Sequence, residues 1–204
     1  MNEPMIDDTQ TTAALCQVRE MVLEARAARE GAAETRLDLW CERLGQTSHI
    51  QEVALDAALS VMSADQGNIQ VVEANGLVIK AHRGFSKEFL DYFHVVNDGR
   101  TACRAAWKQR RLIHLSDVTD SRIYSRPVLE AMLNDGIRAV VSMPLVTDSG
   151  RIVGVLSVHY RHPKCSRDTD LARFRRLATF AANLIDLAGA YAKPNRLLSQ
   201  VSLK

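Results

Sequence analysis

GIRAVVSMPLVTDSGRIVGVLSVH, residues 136–159, is the stretch on which the reading of this chain turns. Two apolar runs flank Thr147, Asp148, Ser149 and Gly150. Val140, Val141, Leu145 and Val146 come before them, and Ile152, Val153, Val155, Leu156 and Val158 after. β-Branched residues on both sides of a short Asp/Ser/Gly connection predict a β-hairpin. Neither run alternates cleanly between apolar and polar, so both faces of these strands are expected to be covered. A hairpin covered on both faces is central in its sheet. Ser142, Ser157 and His159 interrupt the apolar pattern and need partners or a polar cavity. A tight two-residue turn places Ser142 and Ser157 on one face, whereas a one-residue slip separates them.

Downstream of the hairpin, Pro163 breaks the last strand. Residues 168–191 follow as an amphipathic helix with Leu171, Phe174, Leu177, Ala178, Ala181, Leu184, Ile185 and Ala188 on its apolar side, and Pro194 comes after it. Upstream, Pro127 opens a helix over 128–134 that Gly136 stops. Before it lie a polar loop at 119–124 led in by Asp117-Val118, a strand at 111–116, and a helix at 101–108. Ser86 caps a short helix at 87–92, where Phe85, Phe89 and Phe93 recur at helical spacing and read as core rather than as a cofactor box. Residues 68–73 and 77–81 are strands joined through Ala74-Asn75-Gly76, and Asn-Gly is a strong hairpin signal. Ser48, with Gln51 three residues on, caps a helix whose apolar face is Ile50, Val53, Ala54, Ala57, Ala58, Val61 and Met62.

Before Gly45 the pattern changes. Leu15, Val18, Val22 and Ala25 recur at heptad-like spacing among charged residues, and 20–34 is rich in Ala, Arg and Glu. This thin stripe is either a solvated surface helix or half of a helical dimer seam. The expected organisation is a disordered tail at 1–10, a helical extension at 11–44, one domain at 45–191 and a tail at 192–204. Hairpins imply antiparallel pairing, and the helices lie between and around them. The fold class is therefore α+β around one antiparallel sheet, not a doubly wound fold.

With 204 residues, 47% hydrophobic, the chain is long enough for one real core. Lys+Arg number 26 and Asp+Glu 24, a net charge of +2, which argues against a nucleic-acid binder. The basic runs at 104–111 and 161–167 are more simply solvated faces or partner contacts. Cys16, Cys41, Cys103 and Cys165 stand singly, without a CxxC pair, so neither a zinc site nor a dithiol motif is indicated. The acidic, polar N-terminus lacks the pattern of a signal peptide, and no apolar run approaches a membrane span. The expectation is a cytoplasmic protein.

Several stretches together resemble the GAF domain, a small-molecule-binding sensory module with a GAF/PAS-like fold. They are GNIQVVEANGLVIKAHRGFSKEFLDYF at 67–93, TAC-x-AA at 101–106, LSDV at 115–118, GIRAVVSMPL at 136–145 and GRIVGVLSVHYRHP at 150–163. The resemblance runs from about residue 44 to residue 191 and looks most like the GAF domains attached to bacterial sensor kinases. It implies a sheet packed on one face by the first and last helices. The other face would be covered by the middle helices and loops, which enclose a ligand pocket. It also implies terminal helices that dimerise and carry a signal. No kinase, cyclase or DNA-binding segment is recognisable here, so a stand-alone sensor, or a piece acting on a separate signalling protein, is expected.

The resemblance also raises specific chemistries. Some GAF proteins reduce free methionine sulfoxide with a cysteine in a segment like that of Cys103, which lies near a helix N-terminus, where a thiol pKa falls. Those enzymes carry a second cysteine in the loop before the last hairpin; residues 119–127 have none, and the hairpin opens Ile137-Arg138-Ala139 without an acid. Others hold a bilin on a cysteine, but Cys103 is followed by Arg104 without an attachment motif. His114 and His159 offer haem ligation, although a lone strand histidine is more often a hydrogen-bonded core residue. The family's cyclic-nucleotide signature is absent. The expected protein is not an enzyme. It is a homodimeric binder of an unidentified small molecule, with Cys103, Trp107, Asp117, Tyr124, Arg138, Ser142 and His159 around the pocket and Met132 and Met143 as apolar wall. Three of these have blander readings: Cys103 as a buried structural thiol, Asp117 as a loop cap, and Arg138 in a salt bridge to Asp135 or another acid. A purely structural dimerisation module is the remaining alternative.

Overall fold

The computed structural model describes residues 47–95 and 100–201, with side chains over 49–93 and 100–189. The tail at 1–10, the helical extension with its seam at Leu15, Val18, Val22 and Ala25, and Gly45 lie outside the described residues. In chain order the elements are α1 (Thr47–Met62), β1 (Gln66–Glu73), β2 (Gly76–Arg83), α2 (Lys87–Val95) and α3 (Ala102–Gln109). Then come β3 (Ile113–Leu115), a 3-10 turn (Val118–Asp120), α4 (Arg126–Asn134), β4 (Ala139–Val146), β5 (Ile152–Tyr160) and α5 (Asp168–Val201).

The five strands form one antiparallel sheet in the order β2-β1-β5-β4-β3. The hairpin that dominates the sequence is its centre, and the α+β reading holds. Strand periodicity decides what each face meets. Val141, Met143 and Leu145 of β4 and Leu156, Val158 and Tyr160 of β5 face α1 and α5, where Leu55, Phe174, Leu177 and Leu184 are fully buried. Burying each such side chain contributes about 1.5–3 kcal/mol. Val140 and Val155 face the other way, into a second core made with Phe89, Ala106, Val128 and Met132 of α2, α3 and α4.

Ser142 and Ser157 are register partners, as a two-residue turn would make them, but the chain reaches this register differently. Thr147 N–H donates to the Arg151 carbonyl and Gly150 N–H to the Thr147 carbonyl, with Gly150 at φ +82°. Val146 then pairs with Ile152 but Leu145 with Gly154, so Val153 is an extra residue on β5. This bulge restores the register that the longer turn displaces. Gly154 itself is obligatory: a Cβ there would sit 2.2 Å from the Gln70 carbonyl oxygen of β1.

Several element boundaries differ from expectation, β1 for one beginning at Gln66 rather than at residue 68. The first helix begins at Thr47, which puts Ser48 inside its first turn rather than at the cap. The β1–β2 loop is Ala74-Asn75, and Gly76 is the first residue of β2, paired with Glu73 at φ +119°. The last helix does not stop before Pro194 but runs to Val201; the fixed φ of proline is helical, and its missing N–H removes one ladder bond. Ser86 does cap α2, its Oγ accepting from Phe89 N–H at 3.1 Å.

Candidate functional site

The site starts with the alternation of β1. Gln66, Asn68 and Gln70 share one face, and Gly67, Ile69 and Val71 the other. Ile69 is fully buried under the helices, so the three polar residues face the second core. Asn68 pairs with His82 of β2 on one side and Ser157 of β5 on the other, and Ser157 pairs with Ser142 of β4. A polar row thus crosses four strands. On the adjacent rung, Gln66 stands beside His159.

Above this row is a cavity of about 30 Å³, large enough for one or two waters. Its floor is Asn68, Gln70, Val140 and His159, and Ile79 closes one side. Its walls are Phe89 and Phe93 of α2, the first turn of α3 at Thr101, Ala102 and Cys103, and Tyr124 with Met132. The first turn is positioned by Thr101, whose side chain accepts from Arg104 N–H at 3.2 Å. Three buried atoms of lining residues have no hydrogen-bond partner among the described residues: Asn68 Oδ1, Gln70 Oε1 and His159 Nδ1; the Tyr124 hydroxyl stands by the Ala102 backbone N–H. Asn68 and His159 are each only 3% exposed. No Asp, Glu, Lys or Arg is among the described lining residues.

Burial sets the protonation of the site. His159 is pushed down to about 3 by desolvation, so its ring is neutral at physiological pH. Its edge meets the Phe85 ring at 5.2 Å. Tyr124 is pushed up by desolvation and by the neighbouring Cys103. The Cys103 thiol is raised by desolvation, partly offset by hydrogen bonds to Ser157 and Ser142. This corrects the expectation of a lowered thiol: the helix N-terminus is outweighed by burial. Cys103 Sγ lies 3.2 Å from Ser157 Oγ, and Ser157 Oγ lies 2.8 Å from Ser142 Oγ, so the two serines satisfy each other and the thiol.

The expected site residues therefore divide. Cys103, Tyr124 and His159 line the cavity, and Ser142 backs it through Ser157. Trp107 does not line it; only the first turn of α3 reaches the cavity, and Trp107 is a turn further on, under the Arg104 guanidinium at 6.0 Å. Asp117 and Arg138 also lie outside the lining and pair with each other, Arg138 Nη2 standing 2.6 Å from the carboxylate. Asp117 caps the 3-10 turn, accepting from Thr119 N–H at 3.0 Å and its hydroxyl at 2.7 Å, and the Arg138 guanidinium with these bonds holds its carboxyl down at about 2. Asp135 is instead engaged by Ser86 N–H at 3.0 Å and Gln66 Nε2 at 3.1 Å. Met132 lines the cavity, while Met143, by strand parity, lies in the opposite core. His114 pairs with Val141 on the helix-packed face and its Nε2 is 3.1 Å from the Lys164 carbonyl, so it shares no site with His159. The sequence reading missed Asn68, Gln70, Phe89, Phe93 and Thr101 as cavity walls; the period-two polar pattern from Gln66 was the available signal. Among the described residues no cluster of three metal-ligating side chains occurs, and no helix is long and apolar enough to cross a membrane.

Comparison with known proteins agrees with this architecture. The family model for the GAF domain matches residues 47–186. No curated protein sequence matches significantly. Similar solved structures include a domain of a two-component sensor histidine kinase protein from Sinorhizobium meliloti, at 24% identity and TM-score 0.61, covering 72% of this chain and 95% of that one. A GAF domain/HD domain protein from Geobacter sulfurreducens aligns at 14% identity and TM-score 0.63, covering 74% and 98%. A type II free methionine-R-sulfoxide reductase from Thermoplasma acidophilum aligns at 18% identity and TM-score 0.56, covering 70% and 94%. At these identities the likeness establishes the fold.

Proposed function

The chain belongs to the GAF domain family, and on that footing we propose that it is a sensory module without catalysis of its own, which closes around a small uncharged molecule and passes the change to its terminal helices. The observation that carries this reading is that three residues lining one cavity, Asn68, Gln70 and His159, each carry a buried polar atom without a partner among the described residues. Each such group left unsatisfied costs about 1–3 kcal/mol. One or two waters satisfy part of the set; a ligand with matching donors and acceptors satisfies it all. The lining carries no charged side chain among the described residues, so a charged ligand group would be buried without a counter-charge.

The route outward runs through β5. Its cavity face carries Ser157 and His159, and its other face packs on α1 and α5 through Leu156, Val158 and Tyr160. Tyr160 OH donates to the Met62 carbonyl at the end of α1 at 3.1 Å, and Asp65 N–H donates to the His159 carbonyl at 3.1 Å. A ligand that prefers one placement of β5 biases how α1 and α5 pack. α5 continues to Val201, beyond Ala188, the last described core residue, which suits pairing with a second copy and contact with a separate signalling protein in the cytoplasm. The thiol-reductase alternative is disfavoured by the raised Cys103 thiol and the lack of a cysteine at 119–127.

A native mass spectrum of the freshly purified full chain, with an absorbance scan, tests the reading. The expected result is a dimer carrying a discrete adduct of small mass without visible absorbance. A bare chain in repeated preparations, or sulfoxide reduction that disappears in Cys103→Ser, overturns it.

A further inference from the structure

Building on the ligand-binding reading above, we propose that the ligand is recognised through a neutral amide-type edge (a carboxamide, lactam or amino-heterocycle) held by Asn68 and Gln70, with the rest of the molecule in the cleft between β2 and α2. Asn68 and Gln70 are two residues apart on β1, so their side-chain amides stand side by side on the cavity floor, roughly 7 Å apart along the strand. Asn68 Oδ1 and Gln70 Oε1 are buried without partners, which calls for donors on the ligand. A side-chain amide carries one acceptor and two donors, and its complement is a group that donates and accepts along one edge. A neutral His159 Nδ1 extends the same set, since it can donate or accept according to its tautomer. Among the described lining residues a carboxylate would meet no cation, and an ammonium no anion.

Size then divides the ligand. The inner cavity, at about 30 Å³, admits only a small head group. Beside it lies a cleft of about 530 Å³, within the roughly 300–1,000 Å³ usual for small-molecule sites. The two share Gln70, Ile79 and Phe93 as walls, so Phe93 stands at the junction. The cleft is mixed in character: Leu77, Val78 and Leu90 share its lining with Asn75, His82 and Asp91, whose carboxylate is held by Lys87. The amide head points inward, and a ring beside it stands against Phe93 and Ile79 at the junction.

Benzamide, N,N-dimethylbenzamide, benzoate and benzylamine share a ring and differ in the head group, which makes them suitable probes of the full chain. Each is titrated at millimolar concentration by two-dimensional 15N NMR. Benzamide is expected to move the backbone resonances of residues 68–70 and 157–159, and the other three to leave them unmoved. Asn68→Leu and Gln70→Met, each checked for folding by its thermal transition, are expected to weaken benzamide binding about tenfold, the equivalent of roughly 1.4 kcal/mol. If benzoate or benzylamine binds as tightly as benzamide at the same resonances, the amide inference falls while the ligand-binding reading stands. If benzamide moves none of these resonances, or binds both variants as it binds the wild type, the amide inference also falls. The mass spectrum of the retained ligand then decides the ligand-binding reading separately.

Discussion

Replacing His159 by Phe separates the cost of burying an imidazole from the rest of the pH dependence. The folded ring takes a proton only near pH 3, against 6.5 when unperturbed, because desolvation disfavours the cation. In the unfolded chain the proton binds at about 6.5. As pH falls below that value the unfolded state gains a proton that the folded state does not. Stability therefore drops by about 1.4 kcal/mol per pH unit, and the fall ends near pH 3, where the folded state protonates too. Above 6.5 the group contributes nothing to the slope. Between about pH 8 and about pH 5 the loss attributable to His159 is roughly 2 kcal/mol.

Phenylalanine keeps the ring, and with it the edge contact to Phe85, but has nothing to titrate. Cys103 and Tyr124, the other titratable groups on the cavity, are both pushed upward and stay neutral across this range. Asp117 is held at about 2 and stays charged in both proteins. Urea unfolding of wild type and His159→Phe, followed by far-UV circular dichroism at the two pH values, should thus show a pH-dependent loss about 2 kcal/mol smaller in the variant. Equal losses in the two proteins, within about 0.5 kcal/mol, would mean that His159 protonates freely in the folded state, and the neutral, desolvated imidazole would be refuted.

Gly154→Ala should destabilise the fold by about 1–3 kcal/mol or more, since its Cβ would meet the Gln70 carbonyl oxygen at 2.2 Å; a melting temperature within a degree of wild type would contradict the close approach of β1 to β5. Brief alkylation with iodoacetamide at neutral pH, mapped by peptide mass spectrometry, should modify exposed Cys165 well before Cys103, which is half-buried and whose thiol is raised by desolvation; Cys103 reacting first would restore the thiol-enzyme reading. Ser157→Ala should cost about 1–2 kcal/mol in chemical denaturation because it strips a partner from both Ser142 and Cys103, and a neutral effect would show that neither bond is made. Asp117→Asn should lower stability at neutral pH and flatten the acid limb, because a carboxyl held at about 2 stabilises above its unfolded value near 4 and loses that contribution as pH falls toward 2; an unchanged acid limb would place the carboxylate free of Arg138.

Local signals carried the architecture. The β-branched runs around Thr147–Gly150 could only be strands, and their lack of alternation put them mid-sheet. Leu177, Ala181, Leu184 and Ala188 wrote the helical face of α5 directly into the chain. The site was less legible because it depends on which strand lies beside which. Asp117 and Arg138 are 21 residues apart, and only the fold brings the cap of the 3-10 turn against the start of β4; the two then pair with each other, outside the described cavity lining. Met143 looked as suitable a wall as Met132, but one step of parity turns it to the opposite core.

The β1 strand held the clearest unread signal. Beginning the strand at Asn68 concealed Gln66, and with it a run of three polar residues at period two. In an edge strand that pattern would mean a solvated face. β1, however, lies between β2 and β5, and both faces of the sheet are covered, so the same pattern means buried amides. Two covered faces are possible for polar residues only if partners exist. Gln66 Nε2 finds them in Gly84 and Asp135, while its Oε1 stays buried without one. Asn68 Oδ1 and Gln70 Oε1 are likewise without partners among the described residues. What separates these two from Gln66 is place: they line the cavity and Gln66 does not.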